Sequence, residues 1–459
     1  MSHKQVVRAG RPWPVAALLV VSVSVVSMLA ASCAGPLLSG SFNPGGDSEG
    51  TAEVEASPGC DTPEGAADFG EAPPSLMDMD AQRLTDAVGY ATARGAQSVR
   101  IYRHGCLVAR SGLDVFTEDT PLTSWSMAKG VVSTVVGRAI NLGYMSLDDP
   151  IGEYLDGLDA QHAALTVRQF LTQTTGMRMA WVNDLWFAGS GDSAADVLSR
   201  PFQAEPGTTF LYAQTAVTAL VAVTEAAVGE DFQSFARREL FAPIGITDDQ
   251  WRWARDGAGR TQGFAWLDMA PVAWARLGHL LLNEGMWGER RLIDEDFVRE
   301  GSHGTAANAG YGFLWRTNDG DWNIDSGFPS YKRKDQPNWP GLPRDAFGYS
   351  GLFDQIMVVI PSLDMVILRM GLPSELFGDP IGESPGIRPS FGWRYNRLLM
   401  KSVTDVDVYD PGPWVYRKDD SPLDLSNIFA PDIAPFDIPA WFFELLGLGD
   451  LFGGPVGAG

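Results

Sequence analysis

In the segment TSWSMAKG, residues 123–130, Ser126 and Lys129 stand three residues apart. On a helix that spacing puts a hydroxyl and an amine on one face, within reach of each other. It is the only Ser-x-x-Lys in a chain that contains six lysines. The flanking residues, SMAKGVVSTVVGRAIN, are apolar almost all round, so the predicted helix over 126–141 is buried. An ammonium in such surroundings is poorly solvated; its pKa falls, and the neutral amine can act as a base toward the serine. Ser126, at the helix N-terminus, could also offer its backbone N–H to an oxyanion. The competing reading makes Lys129 a side chain that runs along apolar surface to water, with Ser126 as an N-cap. The motif alone leaves both open.

Other chemistries find less support. The five histidines, at 3, 104, 162, 279 and 303, form no zinc-binding pattern. GYSGL at 348–352 comes near a Gly-x-Ser-x-Gly elbow but breaks at Leu352. No P-loop and no Gly-x-Gly-x-x-Gly opens a helix. Neither a metal nor an organic cofactor is expected. The formal net charge of −23 is spread along the chain. It argues against nucleic acid or an anionic membrane surface as a partner. A small-molecule ester or amide is the expected partner, and no protein partner can be inferred.

The 459 residues allow one two-lobed enzyme with tails. Residues 1–32 read as a signal peptide: Lys4, Arg8 and Arg11 precede the apolar run VAALLVVSVSVVSMLAA. The run ends in LAASC, which resembles a bacterial lipobox. Two readings follow, lipidation of Cys33 after cleavage or ordinary signal cleavage nearby. The mature protein is therefore expected outside the cytoplasm, touching a membrane through a lipid anchor only. Residues 33–75 are rich in Gly, Ser, Pro and Glu and read as a flexible tether. In an oxidising compartment Cys60 and Cys106 form a plausible disulfide; two unpaired buried thiols are the alternative.

Order is expected over 76–400, with a C-terminal extension over 401–459. SLMDMDAQRLTDAVGYATARG has helical spacing, and SVRIYRHGCLVAR reads as a strand pair turning at His104-Gly105. LTVRQFLTQTTG, TAVTALVAVTEAAVG and APVAWARLGHLLLNEG read as helices. DQIMVVI and DMVILRM read as adjacent strands separated by PSLD. Helix and strands, a helical middle, then strands again imply an α+β protein. One antiparallel sheet is built from the N- and C-terminal segments, flanked by helices, with a helical lobe between them.

Taken with this order, the chain resembles the serine β-lactamase and penicillin-binding-protein superfamily. The likeness is to its class C-like branch, with esterases and aminohexanoate-dimer hydrolases. It runs from about residue 80 to 400. It is carried by GYMSLDDPIGEYL, LTVRQFLTQTTGM, FLYAQTAVTALVAVTEAAVG, LFAPIGITD, WARLGHLLLNEGMWG and VVIPSLDMVILRMG, in that order. The resemblance implies a β-lactamase/transpeptidase-like fold and three catalytic motifs. The first matches Ser126-Met127-Ala128-Lys129. The second, normally Tyr-x-Asn, matches Tyr212-Ala213-Gln214. The third, normally Lys-Thr-Gly or His-x-Gly, matches Tyr349-Ser350-Gly351.

The resemblance implies that Ser126 forms an acyl-enzyme while Lys129 and Tyr212 share the proton transfers. The backbone N–H groups of Ser126 and Leu352 form the oxyanion hole. Gln214, Tyr349, Ser350 and Gly351 contact substrate. Tyr349 replaces a cation that commonly binds a substrate carboxylate, so neutral esters are expected above β-lactams. Lys332 or Arg333, in YKRK at 331–334, is the candidate replacement; the plainer reading of YKRK is a solvated turn. Trp181, Trp186, Trp251, Trp253, Trp266, Trp274 and Trp287 are expected mostly in core or loop packing. One or two, with Phe187, would line an acyl pocket. The expected function is an exported serine hydrolase. The rivals are a β-lactamase or D-alanyl carboxypeptidase, and a non-catalytic sensor of cell-wall fragments.

Overall fold

The computed structural model describes residues 59–179, 184, 189–324, 333–374 and 390–414. The signal peptide, Cys33, the first part of the tether, Trp181, Trp186, Phe187, Lys332 and the extension beyond 414 lie outside the described residues.

The first half of the main sheet follows helix α1 (Ala81–Thr92), which Asp80 caps by accepting from the Arg83 N–H. Strands β1 (Ala96–Arg103) and β2 (Cys106–Arg110) form a hairpin. Its turn residues His104 and Gly105 both have positive φ, 51° and 75°. That backbone matches the right-handed twist of the flanking strands. A short strand β3 (Leu122–Thr123) leads into helix α2 (Met127–Asn141), and helix α3 (Gln214–Val228) follows in the middle of the chain. Strands β4 (Trp251–Trp253) and β5 (Leu267–Met269) join β3 in a small sheet of order β3-β5-β4. Helix α4 (Pro271–Leu282) begins with a proline at its first position, where no N–H is needed.

The rest of the main sheet comes from the C-terminal half: β6 (Arg316–Thr317), β7 (Phe347–Gly351), β8 (Gln355–Ile360) and β9 (Met365–Gly371). Helix α5 (Ser390–Met400) closes the set. All pairings are antiparallel and the order is β2-β1-β9-β8-β7-β6, so the two ends of the chain meet at β1 and β9. The fold is α+β.

Strand alternation sorts the side chains onto two cores. In β9, Met365 and Ile367 join Leu84, Ala87 and Val88 of α1 and Tyr395 and Leu399 of α5 on one face. Val366, Leu368 and Met370 belong on the other face to the core that also holds α2, α3 and α4. Helix α2 lies inside that second core for nearly its whole length: every residue from Met127 to Ala139 is buried.

Two boundaries differ from expectation. Residues 59–75 fall within the expected tether, yet they are pinned. Cys60 is bonded to Cys106, Phe69 is buried, and Leu107 donates to the Gly70 carbonyl. Arg276 binds the carbonyls of Gly65 and Ala67. At the other end, Val403 is buried against α1's neighbours and Asp405 pairs with Arg103 at 2.7 Å. Polar composition hides these anchors because each depends on one or two residues.

Candidate active site

Trp125, with φ of 52°, turns the chain sharply before α2 and leaves Ser126 at its mouth. Ser126 makes no side-chain capping bond. Its Oγ instead accepts from Lys129 Nζ at 3.0 Å. The backbone N–H of Ser126 belongs to the first helical turn, where no intrahelical acceptor exists.

Lys129 is 1% exposed, and its ammonium does not reach water. Nζ also donates to the Phe264 carbonyl at 2.9 Å and stands 4.6 Å from the centre of the Tyr212 ring. Burial holds its pKa below the ordinary lysine value, against the opposing pull of the Tyr212 phenol.

Tyr212 is set by the loop that enters α3. Gln173 fixes that loop from both sides: its carbonyl takes the Leu211 N–H at 2.9 Å, and its side chain takes the Ala213 N–H at 2.7 Å. The Tyr212 ring packs edge-on against Tyr311 at 6.1 Å. Burial alone would push the phenol up. The Lys129 ammonium, the Arg316 guanidinium and hydrogen bonds with Ser126 and Lys129 outweigh it, and the pKa lies below the usual phenol value. Gln214 opens α3, and its Oε1 is buried with no hydrogen-bond partner among the described residues.

The third segment approaches from β7. A Cβ on Gly351 would lie 2.1 Å from the Ser124 carbonyl oxygen and 3.3 Å from the Met127 nitrogen. Only glycine lets the strand end come this close to the start of α2. Leu352 follows directly in the chain and is 53% exposed. Ser350 is half-buried.

Tyr349 corrects the sequence reading. Its side chain is 1% exposed and bonds Thr134 on α2. The ring occupies the space a side chain at Gly130 would fill, and it packs on Trp274 with centroids 6.0 Å apart. It is a buried core residue packed against α2. Aromatic size and the glycine at 130 explain the inward position; the motif match gave no sign of it.

Sequence reasoning missed Arg316. It sits on β6 opposite Gly348, one residue before the third motif, and its charge lowers the pKa of both Lys129 and Tyr212. It lies in a polar stretch with no periodicity, so no sequence signal marked it. Phe264, which reaches Lys129 through its main-chain carbonyl, and Tyr311 were also missed. Arg333 lies over the Trp322 ring at 4.3 Å and bonds Asp335 at 3.0 Å. Trp251, Trp253, Trp274 and Trp287 are buried, while Trp266 is exposed.

Cys60 and Cys106 are joined as a disulfide. Among the described residues, Asp78, His104 and Asp405 bring three possible metal-ligand atoms within 4.8 Å of one another. Arg103 already balances Asp405 there, and His104 also bonds Asp364.

The arrangement joins a serine hydroxyl, a desolvated amine and an acidified phenol, with the strand end at Gly351 close to the start of α2. It is suited to acyl transfer. The model of the beta-lactamase family matches residues 81–370. Penicillin-binding protein 4 of Amycolatopsis lactamdurans is 29% identical over 154 residues, 31% of this chain; the match spans only 39% of that protein. A Bacillus anthracis protein assigned as a 6-aminohexanoate-dimer hydrolase has a similar structure. Its TM-score is 0.53 at 18% identity, over 69% of this chain and 84% of that one. A Bacteroides dorei protein assigned as a beta-lactamase gives 0.53 at 16% identity, over 71% and 99%. EstCE1, a hydrolase with promiscuous acyltransferase activity, gives 0.51 at 15% identity, over 70% and 98%.

Proposed function

Given that the chain belongs to the beta-lactamase family of serine hydrolases, we propose that it cleaves an ester or amide through an acyl-enzyme on Ser126. The 3.0 Å bond between Lys129 Nζ and Ser126 Oγ, inside a buried site beside Tyr212, carries this reading. In acylation, Lys129 and Tyr212 take the Ser126 proton as Oγ bonds to the carbonyl carbon. The oxyanion forms between the N–H groups of Ser126 and Leu352. The proton then passes to the leaving oxygen or nitrogen as its bond to carbon breaks. In deacylation, water gives a proton to the same pair and attacks the acyl carbon, and Ser126 leaves with that proton. Gln214 Oε1, which lacks a partner, is a ready acceptor for a substrate N–H or O–H.

The preference for neutral esters no longer rests on position 349, because Tyr349 does not face the cleft. Arg316 favours a second reading, a β-lactamase or D-alanyl carboxypeptidase, since it brings a cation to the third motif's strand pair. The non-catalytic sensor is disfavoured by the depressed pKa values of Lys129 and Tyr212, which suit turnover.

Kinetics on short-chain nitrophenyl esters, nitrocefin and D-Ala-D-Ala peptides separate these readings. Ser126→Ala is expected to abolish turnover. Lys129→Ala and Tyr212→Phe are each expected to lower kcat by ~10²–10⁴. A fluorophosphonate probe should label Ser126 alone. Wild-type turnover by the Ser126→Ala protein refutes the nucleophile assignment.

Export, with a lipid on Cys33, is part of the same proposal. The Cys60–Cys106 disulfide supports it, because such bonds persist in oxidising compartments. The protein should partition into detergent, and Cys33→Ser should release it.

A further inference from the structure

Three aromatic rings cluster at Trp125, the residue before Ser126. Trp125 immediately precedes the nucleophile. Its ring lies 5.7 Å from that of Trp266 and 5.5 Å, edge-on, from that of Phe353. Trp266 belongs to a segment already tied to the site: the Phe264 carbonyl binds Lys129, and the Leu267 carbonyl binds both Ser124 N and Ser124 Oγ. Phe353 follows Leu352 in the turn that leaves β7. Trp266 is 44% exposed, Leu352 53% and Phe353 37%. The cluster is therefore an open apolar surface, unlike the buried rings of Trp274 and Trp315.

The backbone adds a second observation. Trp125, Trp266 and Phe353 have φ of 52°, 62° and 64°. Bulky side chains rarely adopt this left-handed conformation, and strained residues of this kind gather at active sites and ligand clamps. A fold that needed only these turns would be served by glycine at each position. Here three costly conformations converge to present three rings in one place.

We propose that Trp125, Trp266 and Phe353, with Leu352, form a subsite for a medium-length apolar acyl chain. This rests on the Ser126 acyl-enzyme reading. The substrate carbonyl oxygen must enter between the N–H groups of Ser126 and Leu352. The leaving atom must face the proton donor, Tyr212. Tyr212 packs against Phe210 and Tyr311 and, among the described residues, against none of the three rim rings. The remaining substituent on the carbonyl carbon, the acyl chain, is the one left to run along Trp125, Trp266 and Phe353. Apolar burial there increases affinity about fourfold for each methylene covered.

The test is Trp266→Gly, which removes the ring and relieves the strained φ together, with Phe353→Gly as a second variant. Wild type should favour nitrophenyl octanoate over nitrophenyl acetate in kcat/KM. Each variant should lower that ratio tenfold or more. A ratio kept within twofold overturns the subsite. So does a dependence that follows the alcohol chain of acetate esters and not the acyl chain, since the rings would then hold the leaving group. Calorimetric binding of octanamide to the Ser126→Ala protein provides a readout free of catalysis. Adding Trp266→Gly should weaken that binding tenfold or more, and unchanged affinity overturns the proposal. If wild type cleaves no ester and the fluorophosphonate labels nothing, the acyl-enzyme reading has failed, and the octanamide comparison alone decides the subsite.

Discussion

After the Lys129 ammonium, the Arg316 guanidinium is the charge that most helps Tyr212 give up its proton. Replacing it by glutamine removes a cation that favours both the phenolate and the neutral amine. Both pKa values then rise, so the basic forms that accept the Ser126 proton appear only at higher pH. The acidic limb of the kcat/KM profile is expected to move upward in Arg316→Gln, with activity recovering as pH rises. A profile superimposable on wild type refutes this role. Individual residues were legible where chemistry and spacing coincide. Ser126 and Lys129 stand out because a lysine inside an apolar helix needs a reason to be there. Tyr349 did not read correctly. Alternation along β7 and the gap at Gly130 decide its direction, and neither is visible in the motif. Arg316 was silent because a two-residue edge strand leaves no periodic trace.

Helix α2 and strand β7 pack together through Tyr349, and Gly351 is where the strand end meets the start of the helix. A methyl group there would meet the Ser124 carbonyl oxygen at 2.1 Å, so the strand end must retreat from the helix. Leu352 moves with it, and its N–H leaves the proposed oxyanion position. Gly351→Ala is expected to lower kcat by ~10²–10³, the usual effect of losing one such donor. Its KM and fluorophosphonate labelling should show whether Ser126 itself stays in place. An unchanged kcat places the oxyanion donor elsewhere. Elements were more legible than residues. The hairpin at His104-Gly105, the buried helix after Ser126 and the strand pair β8–β9 all follow from periodicity and turn residues. Small pieces escaped: the sheet β3-β5-β4 has strands of two or three residues, too short for alternation to register. LTVRQFLTQTTG yields a helix of only five residues, Val167–Leu171, because Gln173 and Gly176 take positive φ just beyond it.

At the scale of the whole molecule, His279 on α4 joins the pinned N-terminal segment to the sheet. Its ring lies 4.1 Å from Phe69 and 4.9 Å from Tyr102. Burial, offset only in part by its bond to the Ala275 carbonyl, pushes its pKa down to about 4 from 6.5. The unfolded chain therefore binds a proton between these values and the folded chain does not. The contribution of His279 to stability is complete above pH 6.5 and declines as pH falls toward 4, by about 3 kcal/mol in all. Urea unfolding of wild type and His279→Gln at pH 7.5 and 4.5 should show the smaller loss in the variant; equal losses refute the assignment. The division into two cores could be read from strands at both ends of the chain. The extent of the ordered body could not, because Phe69, Cys60 and Asp405 each anchor a stretch of otherwise polar composition. The pairing of β1 with β9 also sets a timetable for synthesis. Residue 103 leaves the ribosome about 270 residues before residue 371, a delay on the order of tens of seconds at ~5–20 residues per second. During that interval the first hairpin has no neighbour on its inner edge, and the nucleophile helix has no strand behind it. Such a nascent chain exposes apolar surface and an unpaired edge together, the features that recruit chaperones and, without them, lead to aggregation.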